Sequence, residues 1–333
     1  MDIDFTKVNT IQIGNSNSEP PIFFGPAIDP TKCGESLKNM KLTFVLDTNL
    51  YSDICHNVEN KTFLHFLMTA ARHQIRLDPS FAISEQSRVS TATAKTHLQH
   101  YIKNISKWTS IDIKEPSEVK LLNTAKELAD SMKFNIRLLE NFLSIIKHIY
   151  RSPGNFNSKK DAYLSLTSNV DIPQFGFILA CGYLMWYAKE TLDNNNLIRK
   201  KIDAFMSIGN SNSKEDKILH NTATDISLFH CCLDLYNLKH EGTQEFPILA
   251  TRDTVVGFLL KHLTFSHIFD ESGHRYRAGL FIRESSPWGN AISDDFYRFM
   301  KCASKPLSKN DEEQIIRTKN LEELSKRYVS TSV

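Results

Sequence analysis

Leu42-Thr-Phe-Val-Leu46 runs straight into Asp47-Thr48-Asn49. A short apolar, β-rich run that stops abruptly at polar residues is the pattern of a buried parallel strand ending in a loop. The pattern returns far downstream, where Phe246-Pro-Ile-Leu-Ala250 precedes Thr251-Arg252-Asp253. Around these two words the periodicity alternates. It predicts a helix through Phe63 to His73, a second strand around Ser80-Phe-Ala-Ile83, a helix from about 217 to 239, another from about 254, and a strand near Phe265 to Phe269. Such alternation predicts an α/β fold with parallel strands and helices on both faces, in which ligands gather beyond the carboxyl ends of the strands. Asp47 and Asp253 are both expected there.

The rest of the chain is organised around that core. Residues 14–38 are rich in Gly, Asn, Ser and Pro, which favour turns, so residues 1–40 are expected to be a lead-in. Residues 41–114 and 216–284 form the two parts of the core. Between them, Leu138, Leu139, Phe142, Ile145, Ile146 and Ile149 recur at helical spacing, and 115–215 is expected to be a large helical insertion closed by an exposed loop over 209–216. A C-terminal helical extension is expected over 285–333. The uncharged run Ile172 to Ala188 falls short of the roughly 20 residues that cross a bilayer and carries Pro173 and Gln174, so it predicts a buried core helix and no membrane association.

Composition sets the outer limits. A chain of 333 residues, 41% of them apolar, is long enough to bury a sizeable core. Forty basic against 38 acidic residues leave a net charge of +2, so any surface for a polyanion must be a local patch. The six cysteines form no Cys-x-x-Cys pair and no Cys/His cluster at zinc spacing, and the N-terminus lacks a secretory pattern. A reducing cytoplasm is the expected compartment.

Phe44-Val-Leu-Asp47-Thr48-Asn49, then Thr224-Asp225-Ile-Ser-Leu-Phe, then Ile248-Leu-Ala-Thr251-Arg-Asp253, resemble in order and context the PIN-domain nucleases. The resemblance covers roughly residues 41–110 and 217–270. It implies a three-layer α/β/α domain with a central parallel sheet, and a cluster of four acids: Asp47, Glu85, Asp225 and Asp253. It further implies Mg²⁺ or Mn²⁺ as cofactor, Thr48, Asn49 and Thr251 as supporting residues, and hydrolysis of RNA by an endoribonuclease like the PIN toxins and RNA-processing enzymes. Such hard cations take oxygen ligands and keep several waters, which clustered carboxylates provide.

Each acid also has a structural reading. Asp47 and Asp253 suit the N-cap of the following helix. Thr222-Ala-Thr-Asp225 is close to a capping box near a helix start. Glu85 is the sole acid from 79 to 111 able to complete the set, and stands directly after the predicted second strand, where Ser84 and Glu85 also suit a helix start. Arg252 is expected to be exposed.

A local basic stretch flanks the site, with Arg72, Arg76, Arg88 and Lys95 as candidate nucleic-acid contacts and Trp108 for base stacking. Arg275 and Arg277, near Arg283, are further candidates, either closing over the substrate or forming a surface hairpin. Metal-assisted hydrolysis does not need the 2′-hydroxyl, so single-stranded DNA stands beside RNA as a substrate. The alternative without catalysis is a PIN-like binding or assembly module. A protein inhibitor or regulatory partner and a homo-oligomer are possible companions of either.

Overall fold

The computed structural model describes residues 10–14, 19–32, 37, 40–107, 118–173, 175–206, 212–237, 239–240, 243–269, 276–283, 285–304 and 310–329. The chain divides into two compact units, residues 1–133 with 227–286, and residues 134–226 with 287–333. The chain opens with β1 (Ile11–Ile13), β2 (Ile22–Pro26) and β3 (Lys41–Leu46), followed by α1 (Thr48–Cys55), α2 (Lys61–Arg72), β4 (Arg76–Asp78), α3 (Ser80–Val89) and α4 (Thr91–Ile105). Among the described residues, α5 (Glu118–Arg151), α6 (Phe156–Ser168), α7 (Gly176–Thr191), α8 (Leu197–Met206) and α9 (Asn212–Asn237) come next. Then follow β5 (Lys239–His240), β6 (Thr243–Thr251), α10 (Thr254–His262), β7 (Leu263–Phe269), β8 (Tyr276–Ile282), α11 (Gly289–Ala303) and α12 (Asp311–Val329).

The first unit is built on a sheet in the order β1-β2-β6-β3-β4, with β5 hairpinned onto β6. β3 pairs parallel with both β6 and β4, as the alternation predicts. The other side is antiparallel, because β2 runs against β6 and β1 against β2. The sheet is therefore mixed, and residues 1–40 are not a lead-in: Ile22-Phe-Phe-Gly-Pro26 is buried at all five positions. Helices cover both faces. Phe24 meets Phe44 and Phe66 of α2 with ring centroids 5.4 and 6.1 Å away, while its neighbour Phe23, alternating to the other face, lies against Gly257 of α10.

Three further expectations need correction. Ser80 to Ile83 is not a strand but the start of α3; the strand is the shorter β4, and Pro79 separates the two. Residues 80–84 are buried all round, which erases the helical period and makes a helix look like an apolar strand. β7 lies outside the parallel set: it pairs antiparallel with β8 in a two-stranded sheet and touches Ile28 through one parallel bridge. Residues 212–216, expected in a loop, begin α9.

The second unit is helical. α7 is the buried core helix that its sequence predicts, with Cys181 through Trp186 all enclosed. Gly182 allows close approach to Ile146 of α5, since a Cβ there would stand 3.0 Å from that side chain. Among the described residues, no helix is long and apolar enough to cross a membrane, and Cys55, Cys181, Cys231, Cys232 and Cys302 are free thiols.

Candidate functional site

The site follows from the register of two parallel strands. Leu42 through Leu46 stand opposite Phe246 through Ala250, and one further step brings Asp47 opposite Thr251. Thr251 Oγ1 accordingly donates to Asp47 Oδ2 at 2.6 Å, and the Arg252 amide donates to the same oxygen at 2.9 Å. The Leu50 amide donates to Asp47 Oδ1 at 2.7 Å, which makes Asp47 the N-cap of α1. Thr251 Oγ1 also accepts from the Asp253 backbone amide at 2.9 Å, so one buried hydroxyl ties the Asp47 carboxylate to the main chain at Asp253. Asp253 Oδ1 caps α10, accepting from Val255 and Val256 at 2.7 and 2.8 Å.

This setting perturbs the first acid. Burial pushes the Asp47 carboxyl up to about 6, and the charge of Asp253 acts in the same direction. The hydrogen bonds from Thr251, Leu50 and Arg252 favour the carboxylate and restrain the rise.

Glu85 lies in the second turn of α3, not directly after a strand. Its Oε2 accepts from Thr48 Oγ1, so the structure joins Glu85 to the first residue of α1. Asn49 is exposed, and the bonds that hold Asp47 come from Leu50, Thr251 and Arg252 instead. Arg252 is not solvent-exposed: its guanidinium pairs with Asp53 Oδ2, its side chain is 10% accessible, and Nη1 donates to the Pro20 carbonyl at 3.1 Å.

Asp225 belongs to the helical unit. It lies in the interior of α9, half-buried, with Thr222 already helical and buried upstream, so the expected capping box does not exist. Among the described residues, no group of three or more His, Cys, Asp or Glu side chains is placed to hold a metal ion. No cluster of the four acids is shown among the described residues. Asp47 and Asp253 remain, a donor set that suits Mg²⁺ or Mn²⁺ only in the water-rich manner of one or two carboxylates.

The basic candidates separate as well. Arg72, Arg88 and Lys95 are exposed on α2, α3 and α4. Arg76 is committed to Glu245 at 2.9 Å, at the amino ends of β4 and β6 and so at the opposite end of the strands from Asp47. Glu245 also accepts from Thr43 Oγ1, which makes this a buried latch between β3, β4 and β6. Arg275 and Trp108 lie outside the described residues; Arg277 pairs through its backbone with Ile268 in the β7-β8 hairpin. Arg283 is buried and donates to the carbonyls of Leu260 and Pro26, a structural use.

Comparison with models of known protein families, with curated proteins and with solved structures finds no match.

Two acids near this end of the sheet escape the sequence reading. Asp78 closes β4 as Asp47 closes β3, buried, with Oδ1 accepting from Ser80 at 2.8 Å. Leu77-Asp78-Pro79 carries the signal, an apolar residue followed by a capping acid, in a strand too short to show it. Asp53, whose carboxyl is raised by burial and lowered by Arg252, has no signal beyond its place on α1.

Proposed function

We propose that this chain is a metal-dependent nuclease, similar to the PIN-domain family, that hydrolyses phosphodiester bonds of single-stranded or structured RNA. One observation carries the reading: Asp47 lies beyond the carboxyl ends of β3 and β6, where ligands of α/β folds bind, within range of the charge of Asp253, and Thr251 Oγ1 bonds both the Asp47 carboxylate and the Asp253 backbone amide. Asp47 and Asp253 would hold Mg²⁺ or Mn²⁺, with water completing the coordination. Such an ion lowers the pKa of a coordinated water and offsets charge on the scissile phosphate. Thr251 and the Arg252 amide orient Asp47 and favour its ionised form; Thr48 holds Glu85. Exposed Arg72, Arg88 and Lys95 bind phosphates along the strand. Single-stranded DNA is the alternative substrate of the same site.

A second reading has its own support. Both oxygens of Asp47 are engaged by three donors, and both acids cap helices, which gives them a full structural role in a binding or assembly module. The deciding experiment incubates purified protein with labelled single-stranded RNA and DNA in Mg²⁺, Mn²⁺ or chelator, beside folded Asp47→Asn and Asp253→Asn variants. Cleavage that needs metal and drops at least 100-fold in both variants supports the nuclease and identifies its substrate. Absence of cleavage on either polymer in every metal supports the module.

A further inference from the structure

A separate group of side chains lies where the end of α1 meets α4. The imidazoles of His56 and His97 stand with ring centroids 5.7 Å apart and planes inclined at 73°. His100 is exposed one turn further along α4 from His97.

A hydrogen bond at Nδ1 anchors each ring. His56 Nδ1 lies 2.8 Å from the Ser52 carbonyl, which can only accept, so Nδ1 carries the proton. His97 Nδ1 lies 3.0 Å from Oε1 of Gln86, again an acceptor. With Nδ1 donating to these oxygens, each neutral ring keeps its lone pair on Nε2. A ring nitrogen anchored by one hydrogen bond while the other is left basic is the arrangement seen around metal-bound histidine. Two imidazoles on one zinc ion, each at about 2.0–2.1 Å, place their ring centroids roughly 5–6 Å apart. Burial, reinforced by the charges of His56 and His100, holds the His97 imidazolium below the usual histidine range and so favours the ligating form.

We propose that His56 and His97 form a binding site for a borderline divalent cation of the Zn²⁺, Ni²⁺ or Cu²⁺ class. Because no group of three His, Cys, Asp or Glu side chains is placed to hold a metal among the described residues, the site is an imidazole pair completed by water. Nitrogen ligands set this site apart from the carboxylates of Asp47 and Asp253, which suit harder ions.

The test is calorimetric titration of ZnCl₂ and NiCl₂ into the full chain at pH 7.5 in excess Mg²⁺, which occupies hard oxygen sites. One equivalent bound with micromolar affinity in the parent, weakened at least tenfold in both His56→Ala and His97→Ala and unchanged in His65→Ala on α2, is the expected result. Long-range ¹H–¹⁵N spectra of the histidine rings should show zinc shifting Nε2 and sparing Nδ1. No binding below millimolar concentration, binding indifferent to both substitutions, or a zinc shift on Nδ1 overturns the proposal.

Discussion

Asp47 joins three donors from two elements inside the protein, and its two demands conflict. Hydrogen bonds ask for a carboxylate, burial asks for a neutral acid, and burial prevails, raising the group from 3.8 to about 6. A carboxyl whose folded pKa lies above its unfolded value favours the fold most at pH below about 4, and that contribution is lost as pH rises through about 6. A rise of that size corresponds to about 3 kcal/mol. Urea unfolding in chelator from pH 4 to 7.5 should therefore show the parent losing on the order of 2–3 kcal/mol relative to Asp47→Asn, which does not titrate there. Millimolar Mg²⁺ should restore part of that loss by stabilising the anion. A difference independent of pH would mean that water reaches Asp47 and that the conflict does not exist.

Elements test packing. Gly257 opens a path for α10 to approach β2, where a Cβ would fall 2.4 Å from the Phe23 ring. Alanine adds helix propensity of roughly 0.5–1 kcal/mol, but forcing a methyl against a buried ring costs about 1–3 kcal/mol, so overpacking wins. Gly257→Ala should lower the urea midpoint, and Phe23→Leu in the same chain should recover part of the loss. An unchanged midpoint would show that α10 has room to shift. The same scale explains what the sequence reveals. β3 and β6 are legible because long apolar runs end at acids, and α2 because its apolar positions keep the helical period. β2 is hidden because Pro20-Pro21 precede it and Gly25-Pro26 end it, and β4 is three residues long. Asp225 is misplaced because α9 begins at Asn212, in polar residues without a period that signals a helix, so an interior Thr-x-x-Asp resembles a start. The Asp47–Thr251 contact, by contrast, is legible once β3 and β6 are taken as parallel neighbours in a given register; Arg252–Asp53 is not, because it depends on where a long side chain turns.

Across the whole molecule, forty basic and 38 acidic side chains nearly cancel, so long-range attraction for a polyanion is weak and binding depends on local groups of exposed cations. Arg76 is withdrawn from that set by Glu245, which leaves Arg72, Arg88 and Lys95 exposed on three helices of the first unit. Each phosphate neutralised on a single strand contributes about −0.7 to the slope of log K against log salt, so three contacts predict a slope of about −2. Anisotropy titration of a labelled single-stranded RNA in chelator, from 50 to 300 mM KCl, measures it. The combined variant Arg72→Gln, Arg88→Gln and Lys95→Gln should bind with a slope near zero and at least tenfold more weakly at low salt. A parent slope steeper than about −4 would need more phosphate contacts than these three residues make. The polyanion would then be held by another surface of the chain, and the basic stretch from Arg72 to Lys95 would be an ordinary solvated helix face.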